Sequence, residues 1–171
     1  GQIDRANSGK KNIEQAQKIA SRIAARNIGN KTGRRINNLE DYQKYKCETS
    51  TLELKSAEKG CPTHLYDTLS SFSNQDDGGI IIFGIDEKQD FKEVGVYDSQ
   101  DIQKKINEQC LQMQPIVRPL LTVIEKENKF FVSAEIPGAD IYDRPVYYKG
   151  KGIVKGSYIR VGDSDEPMTE Y

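Results

Sequence analysis

Apolar and polar residues follow the periods of helices and strands along this chain. Apolar residues three and four positions apart predict an amphipathic basic helix over about residues 11–27, and turn-forming residues follow it. Period-two alternation predicts a strand over 49–55, and 63–74 has helical spacing directly after Pro62. The run Ile80–Ile85 is apolar on both faces and too short for a helix, so it predicts a fully buried central strand.

The second half of the chain alternates one helix with short strands. The spacing predicts a helix from Ser99 to about Met113, which two prolines end, and then a hairpin of strands over 120–125 and 129–136. Further short strands are predicted over 145–149 and 157–161, joined as a hairpin by a glycine-containing turn. The pattern therefore predicts an α+β fold. It has a mixed, largely antiparallel sheet of about five to seven strands with two core helices, preceded by a basic amphipathic N-terminal helix.

Size and composition narrow the class of protein. The chain has 171 residues and 36% hydrophobic residues, which suffices for one domain with an appendage. Its longest apolar stretch is far below the roughly 20 residues that cross a bilayer, so we expect no membrane insertion. Three widely spaced cysteines favour free thiols and a cytoplasmic location, and a single histidine makes a zinc site improbable.

The net charge of −1 conceals an uneven distribution. Residues 1–46 hold 11 basic and 4 acidic residues, which leaves 14 basic and 22 acidic residues in the remainder. We therefore divide the chain into a basic helical arm and linker, residues 1–38, and a domain over 39–171. An arm of this charge suits a polyanion partner, although a solvated helix face would have the same composition.

Acidic residues cluster around two predicted strands. Glu48 and Glu53 flank the start of the first strand, Lys55 shares a face with Glu53, and Asp86 and Glu87 follow the buried strand. If the two strands are neighbours, these carboxylates converge, and their oxygens suit a divalent cation that activates water for phosphate hydrolysis. The lysine would stabilise developing negative charge. The alternative is a Glu53–Lys55 surface pair beside acidic turn residues.

Aromatic and basic residues interleave near the C-terminus. Ring faces and cations in one groove suit single-stranded or non-helical nucleic acid, through stacking and phosphate neutralisation. The alternative is a hairpin with half-buried tyrosines and solubilising lysines. The residues concerned are Tyr147, Tyr148, Lys149, Lys151, Lys155, Tyr158 and Arg160.

Three segments together resemble the AlbA_2 or Schlafen-type DNA-binding domain. The string over Glu48–Lys55 is similar to the family's "ExxxxEFK" opening, and Ser71–Asp86 resembles its "AFANTxGGxLxxGVxD" centre. The segment Gly156–Thr169 is similar to the "GxxYIRxGSxxxPA" end. The resemblance covers about residues 47–171 in the right order and spacing.

This resemblance implies two functions. Bacterial members stand at the front of RecG-like transcriptional regulators, whereas some animal Schlafens cleave RNA with a Glu, Glu, Asp metal-binding set. Carried over by position, that set falls on Glu48, Glu53 and Asp86 or the adjacent Glu87, with Mg²⁺ or Mn²⁺ as the metal and Lys55 nearby. The second lobe of the Schlafens is missing, so a comparable groove would require a homodimer.

Our leading hypothesis is therefore a nucleic-acid-binding module, the DNA-binding part of a bacterial transcriptional regulator. The alternatives are a metal-dependent endoribonuclease acting on structured RNA and a protein interaction or oligomerisation domain. The residues expected to contact nucleic acid are Lys11, Lys18, Arg22 and Arg26 of the arm, and Tyr147, Lys149, Lys151, Tyr158 and Arg160 near the C-terminus.

Overall fold

The chain folds around a mixed sheet of four strands in the order β1-β2-β7-β6. The computed structural model describes residues 11, 14, 50–89 and 91–168. Strands β1 and β2 are parallel, whereas β2 pairs with β7 and β7 with β6 in antiparallel fashion. The four strands are β1 (Leu52–Lys55), β2 (Gly79–Phe83), β6 (Leu120–Lys126) and β7 (Lys129–Ile136).

The remaining described elements surround this sheet. Three strand pairs form separate two-stranded sheets, so the predicted α+β class with mixed pairing is confirmed, while the main sheet itself has four strands. The strands are β3 (Ile85–Asp86), β4 (Lys92–Glu93), β5 (Met113–Gln114), β8 (Tyr147–Tyr148), β9 (Tyr158–Val161) and β10 (Ser164–Pro167). The helices are α1 (Tyr66–Ser73), α2 (Ser99–Leu111) and the short α3 (Gly152–Lys155), with 3₁₀ turns at Glu87–Gln89 and Ile141–Asp143.

The central strand β2 is covered on both faces, as its apolar run predicts. Ile81 and Phe83 face the larger core, where α1 and α2 pack. Ile82 faces a smaller cluster on the other side of the sheet together with Phe131. The predicted helix from Ser99 is also confirmed, since α2 spans Ser99–Leu111. Asp98 caps its first turn, and Ile102, Ile106 and Cys110 are buried.

The glycine pair between α1 and β2 is required by close packing. Gly78 has a φ of +62°, a conformation that favours glycine. A Cβ on Gly79 would lie 2.3 Å from the ring of Phe72, so a side chain there would displace a core aromatic. The pair thus lets the chain leave α1 and enter the buried strand directly.

One side chain within α1 and one directly after it bind distant backbone. The Ser70 hydroxyl donates to the carbonyl of Val146 at 2.6 Å and accepts from the amide of Tyr158 at 2.9 Å. The Asn74 amide nitrogen donates to the carbonyls of Val146 and Tyr158, at 3.1 and 2.9 Å, and its oxygen accepts from the amide of Val146 at 2.7 Å. We call this pair, Ser70 and Asn74, the polar clamp.

The predicted hairpin over 145–149 and 157–161 is wrong. Strand β8 pairs instead with β5, and β9 pairs with β10, leaving one isolated bridge between Tyr147 and Ser157. The physical reason is that α3 separates the two strands, while the polar clamp holds the backbone just before β8 and at the start of β9. The segment between them therefore projects as a short helical turn.

The N-terminal helix predicted over about 11–27 lies outside the described residues, apart from positions 11 and 14. None of the described helices has the length and apolar character needed to span a bilayer. The cytoplasmic location stays a prediction.

Replacing Asn74 with alanine should destabilise the fold. The change removes the partner of the Val146 amide and a partner of the carbonyls of Val146 and Tyr158, both buried residues, so we expect the free energy of unfolding to fall by about 2–3 kcal/mol. Urea unfolding followed by circular dichroism measures it. The control is Asn107→Ala, which alters an exposed position of α2. An Asn74→Ala protein as stable as this control would contradict the assigned role of the clamp.

Candidate nucleic-acid interface

The segment between β8 and β9 carries the exposed basic side chains of the C-terminal region. Residues 147–160 contain four basic residues and no acidic ones, and Lys149, Lys151 and Lys155 are exposed. We call residues 149–155 the basic tip. Because this domain is acidic overall, the tip is a local concentration of positive charge on a negative background.

Short backbone contacts hold the basic tip. The amide of Tyr148 donates to the carbonyl of Gly156, and the amide of Lys151 donates to the carbonyl of Tyr148, both at 3.1 Å. The amide of Gly156 closes α3 by donating to Gly152 at 2.8 Å. A Cβ on Gly156 would lie 2.6 Å from the Gly152 carbonyl oxygen, so the turn needs glycine at this position.

Two of the three lysines also contact the protein beneath them. The Lys149 ammonium lies 3.5 Å from the carbonyl oxygen of Leu111, at the end of α2. The Lys151 ammonium lies 3.4 Å from the hydroxyl of Tyr158 and 5.8 Å from its ring centre. The hydrogen bond to Tyr158 raises the pKa of Lys151 and so favours its charged form.

The tyrosines of this region serve the fold rather than the surface. Tyr148 stacks on Tyr66 with ring centres 3.7 Å apart, and its ring lies so close to Gly150 that a Cβ there would be 2.4 Å away. Tyr158 is buried, and Tyr147 is half-buried. The expected stacking platform for unpaired bases therefore has its principal rings already in use.

Arg160, a predicted nucleic-acid contact, is an internal residue. Its side chain is 1% exposed, and its two terminal nitrogens lie 2.8 Å from Glu53 and 2.9 Å from Asp165. The guanidinium also donates to the carbonyl of Leu52 at 3.1 Å and lies 5.1 Å from the centre of the Phe72 ring. Burial by itself lowers the pKa of Arg160, but the hydrogen bond to Asp165 and the charge of Glu53 raise it, and the net shift is upward. A guanidinium so placed cannot reach a phosphate at the surface.

The acidic cluster is only partly assembled. Strands β1 and β2 are neighbours, as the cluster requires, and Glu53 lies 3.5 Å from Lys55. However, the carboxylate of Asp86 accepts from the amide of Lys88 at 3.0 Å and from the side chain of Gln89 at 2.6 Å, within its own turn.

The Glu87 side chain lies close enough to two other carboxylates for them to affect its pKa. Desolvation raises the pKa of Glu87, although the residue as a whole is exposed, and the carboxylates of Glu53 and Asp163 raise it further. Among the residues that the structure describes, no three His, Cys, Asp or Glu side chains come together as a metal site. Glu53 is engaged by two cations and Asp86 by its own turn, and the metal-binding set stays a prediction.

Of the arm residues expected to contact nucleic acid, Lys11 alone is among the residues that the structure describes. Lys11 is exposed. Lys18, Arg22, Arg26 and Glu48 lie outside the described residues, so their roles stay predictions.

Sequence reasoning missed the apolar part of the basic tip. Ile153 and Val154 are 51% and 66% exposed at its end. The sequence signal was present, because an isolated apolar pair stands between Lys151 and Lys155, with a glycine next to each lysine. Such a pair is too short to supply a core.

Comparison with known proteins agrees with this architecture. The family described as Schlafen, AlbA_2 matches residues 48–169. No curated protein matches the chain significantly.

Two solved structures are similar to the chain. One is the solution structure of the N-terminal domain of a protein from Nitrosomonas europaea, named as related to the ATP-dependent DNA helicase RecG. It is 26% identical with a TM-score of 0.54, and the match covers 72% of this chain and 86% of that one. The other is a crystal structure from Corynebacterium diphtheriae, 19% identical with a TM-score of 0.49, where the match covers 71% of this chain and 25% of that one. Since the family match spans most of the sequence, this chain belongs to the Schlafen AlbA_2 family.

Proposed function

We propose that this domain binds nucleic acid, with the basic tip as its principal contact surface. The observation that carries the proposal is the group of three exposed lysines on a tightly held turn that contains no acidic residue. Lysines placed in this way neutralise phosphates and release counterions, which supplies affinity even where the net charge of the domain is negative. The similarity to the N-terminal domain of a RecG-related protein supports the same assignment.

We also propose that the domain is the DNA-binding part of a longer bacterial transcriptional regulator. The similar Nitrosomonas structure is itself the N-terminal domain of a larger protein. The homodimer expected from the resemblance stays a prediction, which sedimentation of the protein at several concentrations can check.

Removing the charge of the basic tip should weaken binding and reduce its dependence on salt. The variant combines Lys149→Gln, Lys151→Gln and Lys155→Gln. We expect the slope of the logarithm of the association constant against the logarithm of salt concentration to fall in magnitude by about 2 to 3. The reason is that each phosphate that a lysine neutralises on a duplex contributes about 0.9 to this slope. Fluorescence anisotropy of a labelled duplex at several salt concentrations measures the slope.

The matched control removes the same charge elsewhere. Lys59, Lys88 and Lys104 are also exposed, and their replacement by glutamine changes the net charge equally. If both triple variants bind the duplex with the same reduced affinity, the effect belongs to the total charge and the basic tip is not the contact surface.

The arm should add a second, sequence-independent contribution. Replacing Lys11, Lys18, Arg22 and Arg26 with glutamine should lower the magnitude of the salt slope further, because each basic side chain near a phosphate releases about one counterion. The same titration tests this. An unchanged slope would leave the arm as a solvated segment.

The metal-dependent endoribonuclease is the alternative, based on Glu48, Glu53 and Asp86 with Mg²⁺ or Mn²⁺. The charge of Glu53 helps to raise the pKa of Glu87, which favours it, whereas the ion pair between Glu53 and Arg160 opposes it. With Glu53 and Asp86 engaged as described, we expect structured RNA to stay intact when it is incubated with the protein and either metal. Gel analysis of the RNA measures this.

The ribonuclease would be the better assignment if the RNA were cleaved and Glu53→Gln abolished the cleavage. Glu58→Gln, at an exposed position of the same region, is the control. The thermal melting of both variants must resemble that of the parent protein, because Glu53 also pairs with a buried arginine.

A further inference from the structure

The end of the basic tip carries an apolar pair whose side chains are mostly exposed. Ile153 and Val154 are 51% and 66% exposed, and they stand between Lys151 and Lys155 on the short helix α3. Exposing two neighbouring aliphatic side chains forgoes the free energy of their burial. Burial against a ligand would recover that free energy.

The turn presents this pair in a defined geometry. Besides the contacts of Gly156 and Lys151 already described, the hydroxyl of Ser157 donates to the carbonyl of Ile153. The polar clamp holds Val146 before the turn and Tyr158 after it. An apolar projection that is ordered before binding gives up little conformational entropy when it inserts into a ligand.

The surrounding charge selects the kind of ligand. Lys149, Lys151 and Lys155 flank the apolar pair along the chain, and no acidic residue lies between Tyr147 and Arg160 in the sequence. A polyanion that also offers apolar surface between its charges satisfies both features at once. In duplex DNA, the phosphates line the grooves and the base faces lie between them, accessible when neighbouring base pairs separate.

The form of nucleic acid follows from the side chains that are exposed. Unpaired bases stack on aromatic rings, but here Tyr148 is covered by Tyr66 and Tyr158 is buried. Aliphatic side chains such as isoleucine act instead as wedges, which enter between base pairs from the minor groove.

We infer that Ile153 and Val154 form a wedge that enters the minor groove of duplex DNA and partly separates two base pairs, while the lysines of the basic tip hold the flanking phosphates. This inference rests on the proposed function and adds how the DNA is held. It implies that the bound duplex is bent, and that easily unstacked TA or CA steps are favoured at the point of insertion.

A second exposed apolar pair provides an internal control. Ile141 and Tyr142 are 70% and 93% exposed, which is more than the wedge, but Asp140 and Asp143 flank them. Carboxylates repel phosphates, so this pair should contribute nothing to DNA binding.

The experiment uses the whole chain and a duplex that contains one TA step, with 2-aminopurine as the adenine and fluorophores at the two ends. With the parent protein, we expect 2-aminopurine fluorescence to rise as the step unstacks and energy transfer between the ends to increase as the duplex bends. For Ile153→Ser with Val154→Ser, we expect both signals to disappear and affinity to fall about tenfold, while the salt slope stays unchanged.

Ile141→Ser with Tyr142→Ser should change none of these quantities. Both double variants should keep the circular dichroism and melting temperature of the parent, because all four side chains are exposed. The lysine-to-glutamine variant of the basic tip should instead lower the salt slope, which separates the charged contacts from the wedge.

Each other outcome overturns the inference in a distinguishable way. If the parent binds no nucleic acid at low salt, the proposed function fails and the inference fails with it. If the parent binds DNA but leaves it straight and stacked, or the serine variant keeps both signals, the wedge is wrong and the proposed function stands. The parent could instead prefer single strands, duplex RNA or anionic vesicles, with this binding abolished in the serine variant. That result would assign the apolar pair to the preferred ligand and overturn the wedge.

Discussion

The polar clamp is the constraint on which the exposed surface of this domain depends. Ser70 and Asn74 satisfy backbone groups that lie between 72 and 88 residues further along the chain. Buried backbone groups without partners are costly, so these hydrogen bonds fix where β8 and β9 leave the core. The basic tip stands between those two points, and its shape is therefore set from inside the protein.

The same interior decides which charges face the solvent. Arg160 lies close in sequence to the lysines of the basic tip, yet it is engaged by Glu53 and Asp165 beneath the surface. Burying this arginine with two carboxylates leaves the lysines as the exposed charges of their segment. For a polyanion, this local arrangement matters more than the negative total of the domain.

The pattern of apolar and polar residues was sufficient to predict the elements that depend only on neighbouring residues. The double-sided apolar run of β2, the spacing and cap of α2, and the hairpin of β6 and β7 each have their cause within a few residues of themselves. The pairing of β8 with β5 has no such local cause, because it depends on where α1 places the polar clamp. For the same reason, the sequence could not reveal that Tyr148 is covered by Tyr66.

The sequence by itself determined the family, the α+β class and the concentration of lysines near Tyr148. Only the tertiary structure decided which of those residues face the solvent. The reason is that burial and ion pairing depend on distant partners: Arg160 pairs with Glu53 from the first strand of the sheet, while more than half of the surface of Ile153 and of Val154 stays exposed. The segment is aromatic and basic in sequence, but in the folded domain its exposed side chains are mainly Ile153, Val154 and the three lysines of the basic tip.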